Sequence, residues 1–154
     1  MMQLSEQLLG LLGKHESAPE FQQLLTDFGE ASRTWEHDQD RKYGFDAHGF
    51  GLGYDIEQEA FWLITFELHP HSAGAVAVAP FVEVLPMGLT QTDSKEDIER
   101  KLGVQPIKQH KISKRFERTI FKVAPHRFDC IFDSSAFTGL AIHLLTVRDS
   151  LPGE

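Results

Sequence analysis

Apolar positions along the chain keep a helical spacing in some stretches and an alternating spacing in others, and the order of the two repeats. Near the start, Leu8, Leu9, Leu11 and Leu12 form a short apolar segment that Ser5 is placed to cap and Gly13 to end. Pro19 suits the first position of a second helix, in which Phe21, Leu24, Leu25 and Phe28 follow the i, i+3, i+4, i+7 rule and Gly29 is the stop. A polar run over 30–42 follows, with Trp35 expected to anchor against the core. From Tyr43 the period becomes two. Phe50, Leu52 and Tyr54 alternate with Gly49, Gly51 and Gly53, a strand with one bulky and one bare face. After a turn over 55–59, a strand over 61–68 is expected to point Trp62, Ile64, Phe66 and Leu68 one way and Leu63, Thr65 and Glu67 the other. Residues 69–74 read as a loop and 75–84 as a further extended segment.

The stretch LPMGLTQTDSKEDIERKLG, residues 85–103, opens the second half. Pro86 and Gly88 mark a turn. Asp93 or Ser94 can cap a helix, and Ser94 with Asp97 fits a capping box. Glu96 and Asp97 at its start and Arg100 and Lys101 at its end suit the helix dipole. Ile98 and Leu102 share a face, Gly103 can take the left-handed stop, and Pro106 keeps the helix from resuming. Beyond a basic piece over 108–118, strands are expected at 119–123 and 127–132, the latter with Phe128, Cys130 and Phe132 on one face. Asp133-Ser134-Ser135 reads as a turn, 139–145 alternates Leu140, Ile142 and Leu144 against Ala141, His143 and Leu145, and the polar tail from Thr146 is expected to fray.

Short matches link the halves at offsets of roughly 75 residues: His48-Gly49-Phe50 with His126-Arg127-Phe128, Ala60-Phe61 with Ala136-Phe137, and Phe28-Gly29 with Leu102-Gly103. The expected fold is α+β: two helix-plus-antiparallel-sheet repeats, over 1–84 and 85–154, forming one sheet with helices on one face. The other face would be small, polar and mixed in charge.

The stretch from Leu85 to Pro106 resembles the G-(T/L)…S-x-x-(D/E)-(V/I)…L-G-x-P signature of the β-lactamase inhibitory protein fold and its single-unit relatives, the SmpA/OmlA lipoproteins. The matching positions are Gly88, Leu89, Ser94, Asp97, Ile98, Leu102, Gly103 and, displaced by one residue, Pro106. The chain is also similar to small cytoplasmic proteins proposed as immunity proteins of bacterial polymorphic toxins. The resemblance implies a binding module and carries no catalytic residue across.

Charge and chemistry narrow this reading. With 15 Lys and Arg against 23 Asp and Glu, the net charge of −8 opposes nonspecific binding to nucleic acid or anionic membrane and suits a basic protein partner. A single cysteine excludes an internal disulfide, and the start of the chain has neither a basic leader nor a long apolar run, so a cytoplasmic protein is expected. His69 and His71, with His48 or His37, are the one thinkable metal set, and a solvated loop accounts for them better, so no metal or cofactor is expected. Cys130 shares its face with two phenylalanines and reads as core. Gly49-x-Gly51-x-Gly53 lacks the helix and GK[ST] of a phosphate loop and instead leaves room for a neighbouring backbone or a partner's side chain. The basic positions Lys108, Lys111, Lys114, Arg115 and Arg118 read as a solvated loop or strand edge. The expected function is therefore non-enzymatic: a protein-binding inhibitor, in its most concrete form an immunity protein. Trp35, Glu36, Asp38, Asp40, Glu67, Asp129 and His143 are the candidate partner-binding residues, acids to steer and aromatics to anchor. A non-inhibitory adaptor or assembly subunit and a small-ligand-binding module are the alternatives.

Overall fold

A computed structural model of the chain describes residues 2–73, 76–133 and 142–149. Its helices are α1 (Leu4–Leu9), α2 (Pro19–Phe28) and α3 (Lys95–Leu102). The strands are β1 (Arg33–His37), β2 (Asp40–Phe45), β3 (Phe50–Asp55), β4 (Ala60–Glu67), β5 (His71–Ala73), β6 (Val76–Val78), β7 (Pro106–Lys111), β8 (Phe116–Val123), β9 (His126–Asp133) and β10 (Ile142–Asp149). Eight of them form one antiparallel sheet in the order β1-β2-β3-β4-β10-β9-β8-β7. The sheet is thus two four-stranded meanders joined where β4 pairs with β10. β5 and β6 make a separate hairpin, so the segment read as a loop from His69 already holds a strand at His71.

Local signals place the helices. In α3, Ser94 Oγ accepts from the Asp97 N–H, the Asp97 carboxylate accepts from the Ser94 N–H, and Gly103 takes φ 71°, ψ 21°. Pro19 opens α2 and Gly29, at φ 80°, closes it. In α1 the expected cap is displaced: Gln3 is the capping position, and Ser5 lies within the helix, fully buried.

All three helices pack on one face of the sheet. Leu4, Leu8, Phe21, Leu24, Ile98 and Leu102 join Phe50, Leu52, Phe66, Phe121, Phe128 and Val147 in a single buried cluster. Each such side chain contributes about 1.5–3 kcal/mol of burial. Phe21 tilts on Phe61 at 4.8 Å between centroids, and Phe81, from the connection after β6, meets Phe66 edge-on at 4.9 Å. Gly49, at φ 71°, lets that connection pass, since a Cβ there would lie 2.2 Å from the Phe81 nitrogen.

Two bulges shift the expected faces. Gly53 pairs with Leu63 but Tyr54 pairs with Phe61, which leaves Trp62 as the extra residue of β4. Phe61, not Trp62, is therefore the buried side chain. A second register shift falls between Ile142 and Leu144, so Leu145 and Val147, not Leu144, continue the core after Ile142. Residues 146–149, the start of the tail expected to fray, are instead the second half of β10, paired with β4 on one side and β9 on the other, and the rest of that tail lies outside the described residues. The polar residues of this half of β10 alternate with buried ones, as a half-wet strand requires. The polar run over 30–42 holds β1 and the start of β2, and Trp35 on this edge hairpin is 43% exposed rather than anchored in the core. The basic piece over 108–118 belongs to β7 and β8, the opposite edge. Ser134, Ser135 and the alternation from Gly139 to Ala141 lie outside the described residues.

Candidate partner-binding face

Residues paired across an antiparallel sheet share a face, so the register defines the face turned away from the helices. One row runs Trp35, Lys42, Gly53, Leu63, Arg148, Arg127 and Lys122, from β1 through β8. A second runs Arg33, Gly44, Gly51, Thr65, Thr146, Asp129, Ile120 and Lys108. A third, shorter row holds Glu67, Leu144, Ile131, Arg118 and His110. A Cβ added to Gly53 would meet the Leu63 Cβ at 3.0 Å and the Lys42 Nζ at 3.2 Å, which confirms that these residues share a side.

The first meander presents a concavity of about 190 Å³ lined by Arg33, Trp35, Gly44, Gly51, Thr65 and Glu67. Gly51 lies bare in it, whereas a Cβ at Gly44 would meet Asp46 Oδ1 at 3.0 Å and Arg33 Nη2 at 3.1 Å, and Trp35 is among its lining residues. The Arg33 guanidinium lies 4.7 Å from the Trp35 ring centre while its Nε and Nη2 donate to buried Asp46 at 2.6 and 2.8 Å. Bulged Trp62 is held by a hydrogen bond from Nε1 to Asp40 at 2.9 Å, with the Lys42 ammonium 5.3 Å from its ring centre.

The second meander presents cations instead. Arg148, Arg127 and Lys122 are consecutive in one row, and Arg118 and Lys108 stand in the adjoining rows. Asp129 sits among them. Burial pushes its carboxyl above the ordinary range, more than Arg118, Arg148 and Arg127 pull it down. Arg118 Nε approaches Asp129 Oδ1 to 3.2 Å, but neither atom is aligned for a hydrogen bond.

The structure brings together part of the candidate set. Trp35 and Glu67 line the same concavity, Asp40 lies at the end of that face, and Asp129 stands on it in the second meander. Glu36 does not belong there: it pairs with Arg41, whose guanidinium it meets at 3.0 Å beside the Glu16–Tyr43 hydrogen bond, on the other face. Asp38 occupies the β1–β2 turn at φ 54°, 3.3 Å from His37. His143 is in β10, and its side chain lies outside the described residues. Sequence reasoning placed Arg127 on this face but missed its other cations. Arg127 follows from its alternation with Phe128, but Arg148 was assigned to a frayed tail, and Lys122 and Lys108 depend on the β8–β9 and β7–β8 registers.

Other chemistry is sparse. Cys130 is fully buried, and burial pushes its thiol far up. Among the described residues no three His, Cys, Asp or Glu side chains are grouped to hold a metal, and no helix is long and apolar enough to cross a membrane.

The chain matches no known family and no curated protein. Among solved structures, it is similar to a cysteine-rich secretory protein from Staphylococcus aureus, with a TM-score of 0.56 and 15% identity over 92% of this chain and 44% of that one. A DUF4309 family protein, YjgB, from Bacillus subtilis aligns with a TM-score of 0.48 and 12% identity over 84% of this chain and 77% of that one. The chain thus spans under half the length of the staphylococcal protein. At 15% identity the likeness is one of fold.

Proposed function

We propose that the chain is a protein-binding module that docks its partner on the sheet face turned away from the helices, and that its most specific role is that of a cytoplasmic immunity protein occluding a toxin domain. The observation that carries this reading is the pairing of a 43% exposed Trp35 with a concavity on that face in which Gly51 lies bare. Gly44 is covered by the Arg33 and Asp46 side chains, but Gly51 has no side chain over it and admits a partner's side chain to the sheet backbone, with the Trp35 indole nearby as a rigid anchor of the kind that dominates interface energies. With strands about 4.8 Å apart and five to eight residues long, the face measures on the order of 35 by 20 Å. That approaches the roughly 800 Å² per partner of a standard interface. The concavity, at about 190 Å³, is smaller than the roughly 300–1,000 Å³ of small-molecule sites. A protein partner therefore suits it better than a small ligand. We also read the two meanders as descendants of one duplicated unit, since β3–β4 and β9–β10 hold corresponding places on either side of the seam.

The test is capture of a partner from the native lysate, with co-expression of neighbouring gene products. The reading expects a 1:1 complex that Trp35→Ala weakens by about tenfold or more, and a partner activity silenced in the complex. A partner that stays fully active would make the chain an adaptor. A wild-type chain that retains no protein would overturn the reading.

A further inference from the structure

We propose that the outer edge of β7 is a second docking site, which takes an extended, acidic segment of a partner protein as an added antiparallel strand; it goes beyond the reading above and stands without the open face. β7 is a terminal strand of the eight-stranded sheet, with β8 on its inner side. An edge strand presents main-chain groups that another chain can pair with. The phase of the ladder says which they are. The Ile112 N–H donates to the Phe116 carbonyl at 3.0 Å, in a register that sets Lys111 opposite Glu117 and His110 opposite Arg118. Ile112 and Phe116 are therefore a hydrogen-bonded pair, and such pairs alternate with unbonded ones along an antiparallel ladder. Lys108 and His110 thus turn their N–H and C=O groups towards β8, whereas Gln109 and Lys111 turn theirs outward. Among the described residues no strand or loop pairs with these outward groups. Pro106 and the bulge between it and Lys108 blunt the start of the strand, but the run from Lys108 to Lys111 is regular and exposed.

The charge of this edge selects the occupant. Residues 104–116 hold no Asp or Glu, and among the described residues neither the Lys108 nor the Lys111 ammonium is paired with a carboxylate. The acids of β8 and β9 are engaged elsewhere. Glu117 takes the Lys95 ammonium at 2.7 Å, Asp129 faces Arg118 at 3.2 Å, and Asp133 accepts from Arg115 Nη2 at 2.7 Å. On α3, Glu96 and Glu99 line a hollow with Val104 and Gln105, ahead of Pro106. Pairing with a second β7 would set two acid-free, lysine-bearing strands side by side, which like charge opposes. A strand with carboxylates opposite Lys108 and Lys111 is favoured instead. These positions are three apart, so its acids fall at i and i+3, one on each face. Ile107 and Ile112, each about half exposed, flank the run and offer apolar contact at either end. Strand addition of this kind draws its affinity from main-chain bonds and its selectivity from alternate side chains.

The test titrates the full chain with three fluorescein-labelled peptides at low and physiological salt, read by anisotropy. TEITET sets its glutamates opposite Lys111 and Lys108, TKITKT is its charge reversal, and TEIPET keeps the charge but lacks the N–H that would meet Gln109. TEITET should bind in a salt-sensitive way, with the other two weaker by about fivefold or more. Gln109→Pro removes an outward donor and leaves the β8 ladder intact, so it should abolish binding while thermal melts show the fold kept. K108E/K111E should weaken TEITET and favour TKITKT. No TEITET binding, equal binding of TEIPET, or binding that survives both Gln109→Pro and K108E/K111E would overturn the inference. Self-assembly of the chain in sedimentation velocity, blocked by Gln109→Pro while TEITET stays unbound, would overturn it too and give the edge to a second copy. A partner captured through Trp35 with no TEITET bound would remove this site and leave the open face standing.

Discussion

The two meanders share their covered face and part company on the other. β3 sends Phe50, Leu52 and Tyr54 into the core, and β9 sends Phe128, Cys130 and Phe132 into the same core. At the alternate positions β3 has Gly51 and Gly53, whereas β9 has Arg127, Asp129 and Ile131. The first half of the open face consequently holds a hollow that is bare at Gly51 and has Trp35 in its lining, and the second carries basic side chains around one half-buried carboxylate. The period of two separates what holds the fold from what meets a partner, strand by strand. Either half of the open face can change without disturbing the packing beneath it.

The largest effect should come from the covered side. Gly49→Ala places a Cβ against the backbone of Pro80 and Phe81 at a positive φ, and a loss of about 3–5 kcal/mol in urea denaturation is expected. Phe50→Ala and Phe128→Ala should each lose about 3 kcal/mol or more, in similar measure; a much smaller loss in one would break the claim of a shared core.

The connection between the meanders supplies the next prediction. Burial alone would raise Asp93, but hydrogen bonds from Lys101 and Thr90 more than reverse it, so its carboxyl lies below the ordinary range. Its stabilisation is therefore full above the ordinary carboxylate range and lost as the pH falls through the depressed folded value. Asp93→Asn should cost about 1–3 kcal/mol at neutral pH, with a difference from wild type that shrinks in acid.

Asp129 should behave with the opposite sign. Its folded carboxyl is raised by burial, so the charged form opposes folding at neutral pH, and that opposition fades as the pH falls through the raised value towards the ordinary one. Asp129→Asn should raise the melting temperature at neutral pH and lose this advantage in acid. A fall in melting temperature would show that the surrounding guanidiniums, and not burial, dominate the site. The smallest stability change, within about 0.5 kcal/mol, is expected for Trp35→Ala. Its effect should appear in binding.

Legibility in the sequence followed the range of each interaction. The cap, charges and stop of α3 lie within ten residues of one another, and all could be read directly. The alternation in β3 and β9 was equally plain. What escaped was set by pairing between distant strands. Trp62 and Leu144 were assigned to the core because a bulge is a property of two strands, not of one. Thr146 and Arg148 looked like a frayed end because polarity alone does not tell a tail from the wet face of a central strand. Trp35 looked like an anchor until β1 proved to be an edge. The acidic residues of the candidate site followed the net charge, yet Glu36 and Asp40 are engaged by Arg41 and Trp62, and the face is set by cations whose alignment only the register supplies.

The most direct measurement compares partner capture by two variants that each introduce an arginine on opposite sides of the molecule: Thr65→Arg in the floor of the open face and Glu20→Arg on α2. The account predicts that Thr65→Arg abolishes capture while Glu20→Arg leaves it intact. Capture that survives Thr65→Arg and fails with Glu20→Arg would place the partner on the helices and contradict it.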